Sequence, residues 1–248
     1  FDAWVNMFAE RVSEFEIDVD TSTFRLRERF SEFHNLPEFS AMFSSIADFH
    51  EANNADGIPY HDGYIDVTIP KSAEFAAFLQ DISHRADAVR QGLVLPQKDN
   101  LLKITTDGRK AALDMRLVDR GASFSPESKV AKCAENVAEI FYKTFSEKST
   151  QLVFCDTSIP KAGFNLYTEL KARLVLCGVP EKQIAFVHEA KTEQKGEKLF
   201  EAVRNGNVRI LIGSTFKLGL GVNVQDRLIA LHHLDVPWRP ADMTQREG

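Results

Sequence analysis

Apolar and polar positions change their rhythm near the middle of this chain. From residue 126 onward, short apolar runs rich in β-branched residues alternate with longer stretches of helical period. The pattern predicts a helix over 126–148, with Pro126 at its first position after Ser125. A strand over 151–155 follows, then a helix over 163–177 closed by Gly178, with Pro180 just beyond. Next come a strand over 184–187, a helix over 193–204 ended by Asn205-Gly206, and strands over 208–212 and 228–234. Strands separated by helices of this length imply right-handed crossovers and an α/β fold with a mostly parallel sheet. Ligands of such sheets sit outside the carboxyl ends of the strands. Those ends are Asp156-Thr157-Ser158, His188-Glu189-Ala190, Gly213-Ser214-Thr215 and residues 235–240.

Residues 1–125 are less regular and richer in helical period. Amphipathic helices are predicted over 1–16, 37–49 and 71–90, with a polar loop over 50–63 containing Asn53, Asn54, Asp56 and Gly57. Residues 64–69 alternate as a strand would, and 101–105 read as a strand leading to Asp107-Gly108-Arg109 and a short helix over 111–117. Arg25, Arg27 and Arg29 form an alternating basic stripe, either a solvated strand or helix face or a phosphate contact. The many phenylalanines fall mostly at helical spacing and are expected in cores. With no internal repeat in view, the natural boundary is the stretch 121–126, giving a mainly helical region 1–125 and an α/β domain 126–248.

Composition narrows the class. With 44% hydrophobic and 27% charged residues, the balance is that of a water-soluble globular chain. No apolar run approaches the roughly 18–20 residues needed to span a bilayer, so no membrane is expected. The opening Phe1-Asp2-Ala3-Trp4 has no initiator Met and no signal-type region, and reads as a cut from a longer chain. Cys133, Cys155 and Cys177 are odd in number and lack a close pair, which favours free core thiols and a reducing, cytoplasmic location. The net charge of −6 divides unevenly: residues 1–125 carry −8 and residues 126–248 carry +2. The second half therefore has room for a phosphate-facing surface.

The chemistry concentrates near the C-terminus. The apolar run 208–212 delivers the small-residue turn Gly213-Ser214-Thr215, then Lys217 and the Gly-x-Gly-x-Asn segment Gly219, Gly221, Asn223. A second apolar strand ends in Asp235, Pro237, Trp238, Arg239 and Pro240, followed by Asp242 and Gln245. Small residues after a buried strand let backbone amides approach an anion, and Lys217 adds charge. This succession resembles motifs V and VI of the second motor lobe of superfamily 2 helicases, most closely the Swi/Snf-type branch. Residues 151–156, Gln-Leu-Val-Phe-Cys-Asp, resemble motif IV. In the first half, Phe1-Asp2-Ala3-Trp4, Arg29-Phe30, Asn35-Leu36-Pro37-Glu38 and the run from Lys103 to Arg109 are similar to large bacterial, phage or mobile-element proteins. Those proteins join such a helicase to an adenine DNA methyltransferase.

The resemblance implies a RecA-like C-terminal lobe at 126–248, preceded by an insertion that follows the first RecA-like lobe of the same motor. It implies DNA as the nucleic acid, a possible fused methyltransferase as partner, and ATP with Mg2+ as cofactors of the intact two-lobe parent. It assigns Ser214, Thr215 and Lys217 to nucleic acid, where hydroxyls, turn amides and an ammonium suit phosphate oxygens; a capped helix start with a solvated lysine is the alternative. Asp156, Thr157 and Ser158 either touch the nucleic-acid backbone or cap the following helix. Gly219, Gly221 and Asn223 would face the nucleotide, with a plain loop as the alternative, and Gln245 would lie nearest to it. Asp235, Trp238 and Asp242 would couple the two lobes. His232-His233 beside Asp235 invites a metal, but adjacent strand residues point to opposite faces, so none is expected.

Other pieces of the motor are missing from these residues. There is no Gly-x-x-x-x-Gly-Lys-[Ser/Thr] phosphate loop and no Asp-Glu-x-His box; His188-Glu189-Ala190-Lys191 is a superficial echo. The motif VI arginines that stabilise phosphoryl-transfer charge would lie beyond Gly248, and Arg246 is not assigned that role, so no catalytic residue is named. The expectation is a half-motor, inert alone. Two other readings compete. One is a RecA-like scaffold serving protein partners through its acidic half. The other is a dinucleotide enzyme, weakened because no early strand–Gly-x-Gly-x-x-Gly–helix unit occurs.

Overall fold

The computed structural model describes residues 2–17, 24–48, 62–218 and 222–247. They form two compact units: Phe1–Asp56 with Ile82–Ile104, and Gly57–Asp81 with Thr105–Gly248. The 121–126 stretch lies within the second of these.

In the first unit, helix α1 (Asp2–Phe8) runs into strand β1 (Ala9–Ile17), which pairs antiparallel with β2 (Phe24–Phe33). The helix predicted over 1–16 is thus half strand. Residues 9–17 carry a period of two as well as an amphipathic helical one, and a paired strand fixes the choice. Arg25, Arg27 and Arg29 fall on β2. Helix α2 (Leu36–Ser44) begins at Asn35, whose Nδ2 donates to the Met7 carbonyl at 2.9 Å. The rings of Trp4, Phe8 and Phe39 meet in pairs at centroid distances of 5.4–5.9 Å, and Phe8 is buried.

Helix α3 (Ala73–Arg90) matches expectation, and the division between the units falls within it and within α4 (Leu101–Leu113). α4 replaces the predicted strand over 101–105. Asn100 supplies the reason: its Oδ1 accepts from the Lys103 amide at 2.9 Å, a side-chain cap that starts a helix directly at Leu101. A short 3-10 turn at Met115–Leu117 follows. The predicted strand over 64–69 is also absent. Tyr64 and Ile65 are exposed and no ladder pairs this segment among the described residues, so its alternation has nothing to satisfy. Of the expected loop over 50–63, residues 50–61 lie outside the described residues.

The second unit is built on a four-stranded sheet of β3 (Thr150–Phe154), β4 (Ile184–Phe186), β5 (Ile210–Gly213) and β6 (Leu228–His233). The spatial order is β4-β5-β3-β6 and every pairing is parallel. Helices α5 (Lys129–Lys143), α6 (Leu166–Leu176), α7 (Glu193–Arg204), α8 (Thr215–Leu218) and α9 (Pro240–Glu247) flank or follow the strands. α5 starts three residues later than predicted. Ser128, whose Oγ accepts from the Ala131 amide at 3.3 Å, is the true cap, while the Ser128 amide turns back to the Ser125 carbonyl.

Successive strand residues feed two cores. Val153, Cys155, Ile210, Ile212, Ile184 and Phe186 pack beneath α5 and α6, whose Val130, Val137, Phe141, Leu170 and Leu174 are buried there. Leu152, Phe154 and Leu211 face the other way, with Val203 of α7 and Leu218 of α8. This is a parallel α/β sheet covered on both faces, as a RecA-like lobe requires.

One buried charge braces the sheet at the end opposite its ligand edge. Arg209 is 1% exposed; its guanidinium donates to the carbonyls of Phe141, Thr144 and Ser149 and lies over the Phe141 ring at 4.0 Å. It thereby satisfies carbonyls at the C-terminus of α5 that the helix itself leaves unpaired.

Candidate functional site at the strand ends

Because β3 lies between β5 and β6, the turns leaving these three strands are neighbours. Two carboxylates tie them together. Asp156, two residues after β3, accepts from the Thr215 amide at 2.7 Å through Oδ1 and from the Thr215 hydroxyl at 2.6 Å through Oδ2. Asp235, two residues after β6, accepts through Oδ2 from the amides of Asp156 and Thr157 and from the Thr157 hydroxyl, at 2.6–2.9 Å.

Arg246 of α9 fills the space between them. Its guanidinium is fully buried and lies 2.8 Å from Asp156 Oδ2 and 3.2 Å from Asp235 Oδ1. Nε donates to the Thr215 hydroxyl at 2.8 Å and Nη1 to the Asp235 carbonyl at 2.6 Å, with the Phe154 ring 5.2 Å away. A buried carboxylate is tolerated only when its oxygens are hydrogen-bonded and its charge opposed, and both conditions are met. The side chains of three turns and one helix form a single network.

The other sequence-predicted positions distribute around this network. Ser158 is buried, its Oγ accepting from the Leu166 amide at 3.1 Å in front of α6. Ser214 is buried and its carbonyl receives the amides of Lys217 and Leu218, the start of α8. Lys217 and its neighbour Phe216 are exposed. The Lys217 charge, together with burial as the larger cause, lowers the pKa of His188, whose ring meets Tyr167 edge-on. Gln245 is exposed on α9. Asn223 lies beside the last residue of α7, where its carbonyl accepts from Arg204 at 3.0 Å. Gly219 and Gly221 lie outside the described residues.

Trp238, in the loop after β6, and Asp242, in the first turn of α9, lie beside the network. With Asp156, Thr157 and Pro237, and with Thr106, Arg109 and Lys110 of α4, they line a cleft of about 330 Å³. Asp242 holds Arg239 through two bonds, at 2.7 and 3.1 Å, and that partner keeps its carboxyl below the usual range. Arg109 stacks 4.1 Å over the Trp238 ring and donates to the Val236 carbonyl.

The histidine pair splits as strand geometry dictates. His232 Nε2 meets Gln151 Oε1 at 2.9 Å on one face, and His233 stacks on Phe154 on the other. Gln151 spends its Nε2 on the Val137 carbonyl, so its Oε1 accepts and His232 Nε2 carries the hydrogen. Among the described residues, no group of three or more His, Cys, Asp or Glu converges as metal ligands would.

Sequence reasoning missed Arg246, which it left without a role, and also Thr106, Arg109 and Lys110. The usable signal for Arg246 was indirect: aspartates after two adjacent buried strands need a counter-charge, and Arg239 and Arg246 are the cations within 11 positions after Asp235. Nothing in the pattern linked α4 to the strand ends.

Comparison with known proteins adds one finding. A family model described as a probable helicase domain matches residues 1–51, within the first unit. No curated protein and no solved structure matches the chain. A helicase connection therefore rests on the first unit, far in sequence from the strand-end network.

Proposed function

We propose that this chain contributes the second motor lobe of an ATP-dependent, Swi/Snf-like DNA translocase or helicase, of the kind joined to an adenine DNA methyltransferase. The observation that carries the reading is the co-location, at one edge of a parallel sheet, of the turns after β3, β5 and β6, which the sequence assigned to motifs IV, V and VI. The helicase-domain match over residues 1–51 supports it independently.

In this reading the nucleotide lies against α9 near Gln245, and a first RecA-like lobe supplies the phosphate cradle. The carboxylates of Asp156 and Asp235 are saturated by protein donors, so Mg2+ belongs to that other lobe as well. The DNA backbone is met by the exposed Lys217, since Thr215 is buried and gives its amide and hydroxyl to Asp156. Since the 248 residues carry no phosphate loop, they do not hydrolyse ATP alone.

The test is a longer chain that supplies a first lobe ahead of Phe1 and the motif VI arginines after Gly248, assayed for DNA-stimulated ATPase. Activity that falls in Lys217→Ala and Gln245→Ala supports the motor. Unchanged turnover in both variants favours a RecA-like scaffold. ATP hydrolysis by the 248 residues on their own overturns the half-motor reading.

A further inference from the structure

We infer that the cleft between α4 and the loop after β6 is a single-stranded nucleic-acid subsite, with Arg109 and Lys110 taking phosphates and Trp238 stacking a base. The inference rests on the nucleic-acid reading above but assigns residues that reading leaves out.

Charge comes first. The cleft holds two carboxylates, and both are engaged: Asp242 pairs with Arg239, and Asp156 shares Arg246 with Asp235. Arg109 and Lys110 bring two positive charges to the same wall, and neither forms an ion pair among the described residues. The residual charge invites an anion. Next to it stands Trp238, 65% exposed, an unusual condition for the largest apolar side chain. Arg109 lies over that ring at 4.1 Å, so cation and aromatic form one preorganised surface.

A basic groove with an aromatic platform is the pairing used to hold single strands, with the backbone on the cations and a base on the ring. The openness of the site decides between a strand and a free nucleotide. Small-molecule pockets enclose most of their ligand, whereas a tryptophan this exposed leaves a stacked base open on one side, as a passing strand needs. The hydroxyl of Thr157 is already given to Asp235, so recognition here is by charge and stacking rather than by base-edge hydrogen bonds, and little sequence preference is expected.

The test uses the full 248-residue chain carrying Trp4→Phe, so that Trp238 is the sole tryptophan. An oligothymidylate titration should quench its emission. Each phosphate contact to a single strand contributes about 0.7 to the slope of log K against log salt. Arg109→Gln/Lys110→Gln should therefore lower the slope by about 1.4, and Lys110→Gln alone by about 0.7. Trp238→Ala, followed with a labelled strand, should weaken binding by about fivefold or more. Lys217→Ala serves as the internal comparison. A slope lowered only by Lys217→Ala overturns this subsite and leaves the motif V contact standing; a slope lowered only by the α4 variants does the reverse. Quenching by ATP that an oligothymidylate cannot displace also overturns the inference, because the cleft would then be a nucleotide pocket.

Discussion

Replacing Arg246 by Met tests whether the strand-end network holds this unit together. The substitution keeps the unbranched stem and removes the guanidinium, which is fully buried and bonded to Asp156, Asp235 and Thr215. Asp235 retains two amides and the Thr157 hydroxyl, and Asp156 retains the Thr215 amide and hydroxyl, so hydrogen bonding survives in part. What is lost is the only cation bonded to either carboxylate among the described residues. Removing one partner of a buried pair costs about 3–5 kcal/mol, because the remaining charge stays desolvated. With a urea slope of about 2 kcal/mol per molar, the unfolding midpoint should fall by about 2 M. Trp238 emission in a Trp4→Phe background reports this unit alone, since Trp4 belongs to the other. A double-mutant cycle adds the specific signature. Asp156→Asn should cost at least about 1 kcal/mol less in the Arg246→Met background than in the native chain, because there it also removes a stranded charge. A loss below about 1 kcal/mol for Arg246→Met, or strictly additive single variants, would refute the reasoning.

Two further outcomes are expected. Burial, then the adjacent His233, holds His232 down to about 4, whereas the unfolded side chain titrates near 6.5. The unfolded chain therefore binds a proton that the native chain refuses, and stability should fall as pH drops from about 6.5 toward 4, by up to about 3 kcal/mol, then stop worsening on this account. His232→Gln, which can still donate to Gln151, should flatten that part of the profile in urea titrations at pH 7, 5.5 and 4.5. Thiols should divide by exposure: Cys177 is exposed and Cys155 buried, while Cys133 is half-buried with its thiol pushed up to about 12 by burial, which also pushes up the Cys155 thiol. A chromogenic disulfide reagent at pH 8 should find one fast thiol in the native chain and three in urea; a second fast native thiol would contradict the packing under α5 and α6.

The half of the fold that could be read from sequence is the half where local and tertiary signals agree. α7 starts and ends where predicted because Thr192 caps it and Asn205-Gly206 closes it, the Asn205 amide returning to the Glu201 carbonyl. β3 and β5 are buried on both faces and so read as apolar runs. Reading failed where one segment satisfies two periods. Residues 9–17 suit a helix until β2 pairs with them, and 101–105 suit a strand until the Asn100 cap commits them to α4. In each case the deciding contact is one that neither hydropathy nor β-propensity weighs.

The site shows the same division for a different reason. Motif positions were found because small residues and prolines mark strand-end turns, and turns after adjacent parallel strands must be close. How their side chains are employed depends on partners that sequence order hides: Thr215 meets Asp156 across 59 positions, and Arg246 meets it across 90. Consider the strand ends as an electrostatic problem. Asp156 and Asp235 sit beside one another, their oxygens enclosed by amides and hydroxyls that supply donors but no charge. Such a pair calls for a buried cation, and α9 follows β6 at this edge. On α9, Arg246 is the one arginine or lysine, so the requirement for a counter-ion selects it without any motif. The same argument explains why Arg109 and Lys110 could not be found in this way: among the described residues they pair with no carboxylate, so no counter-ion requirement of the fold selects them.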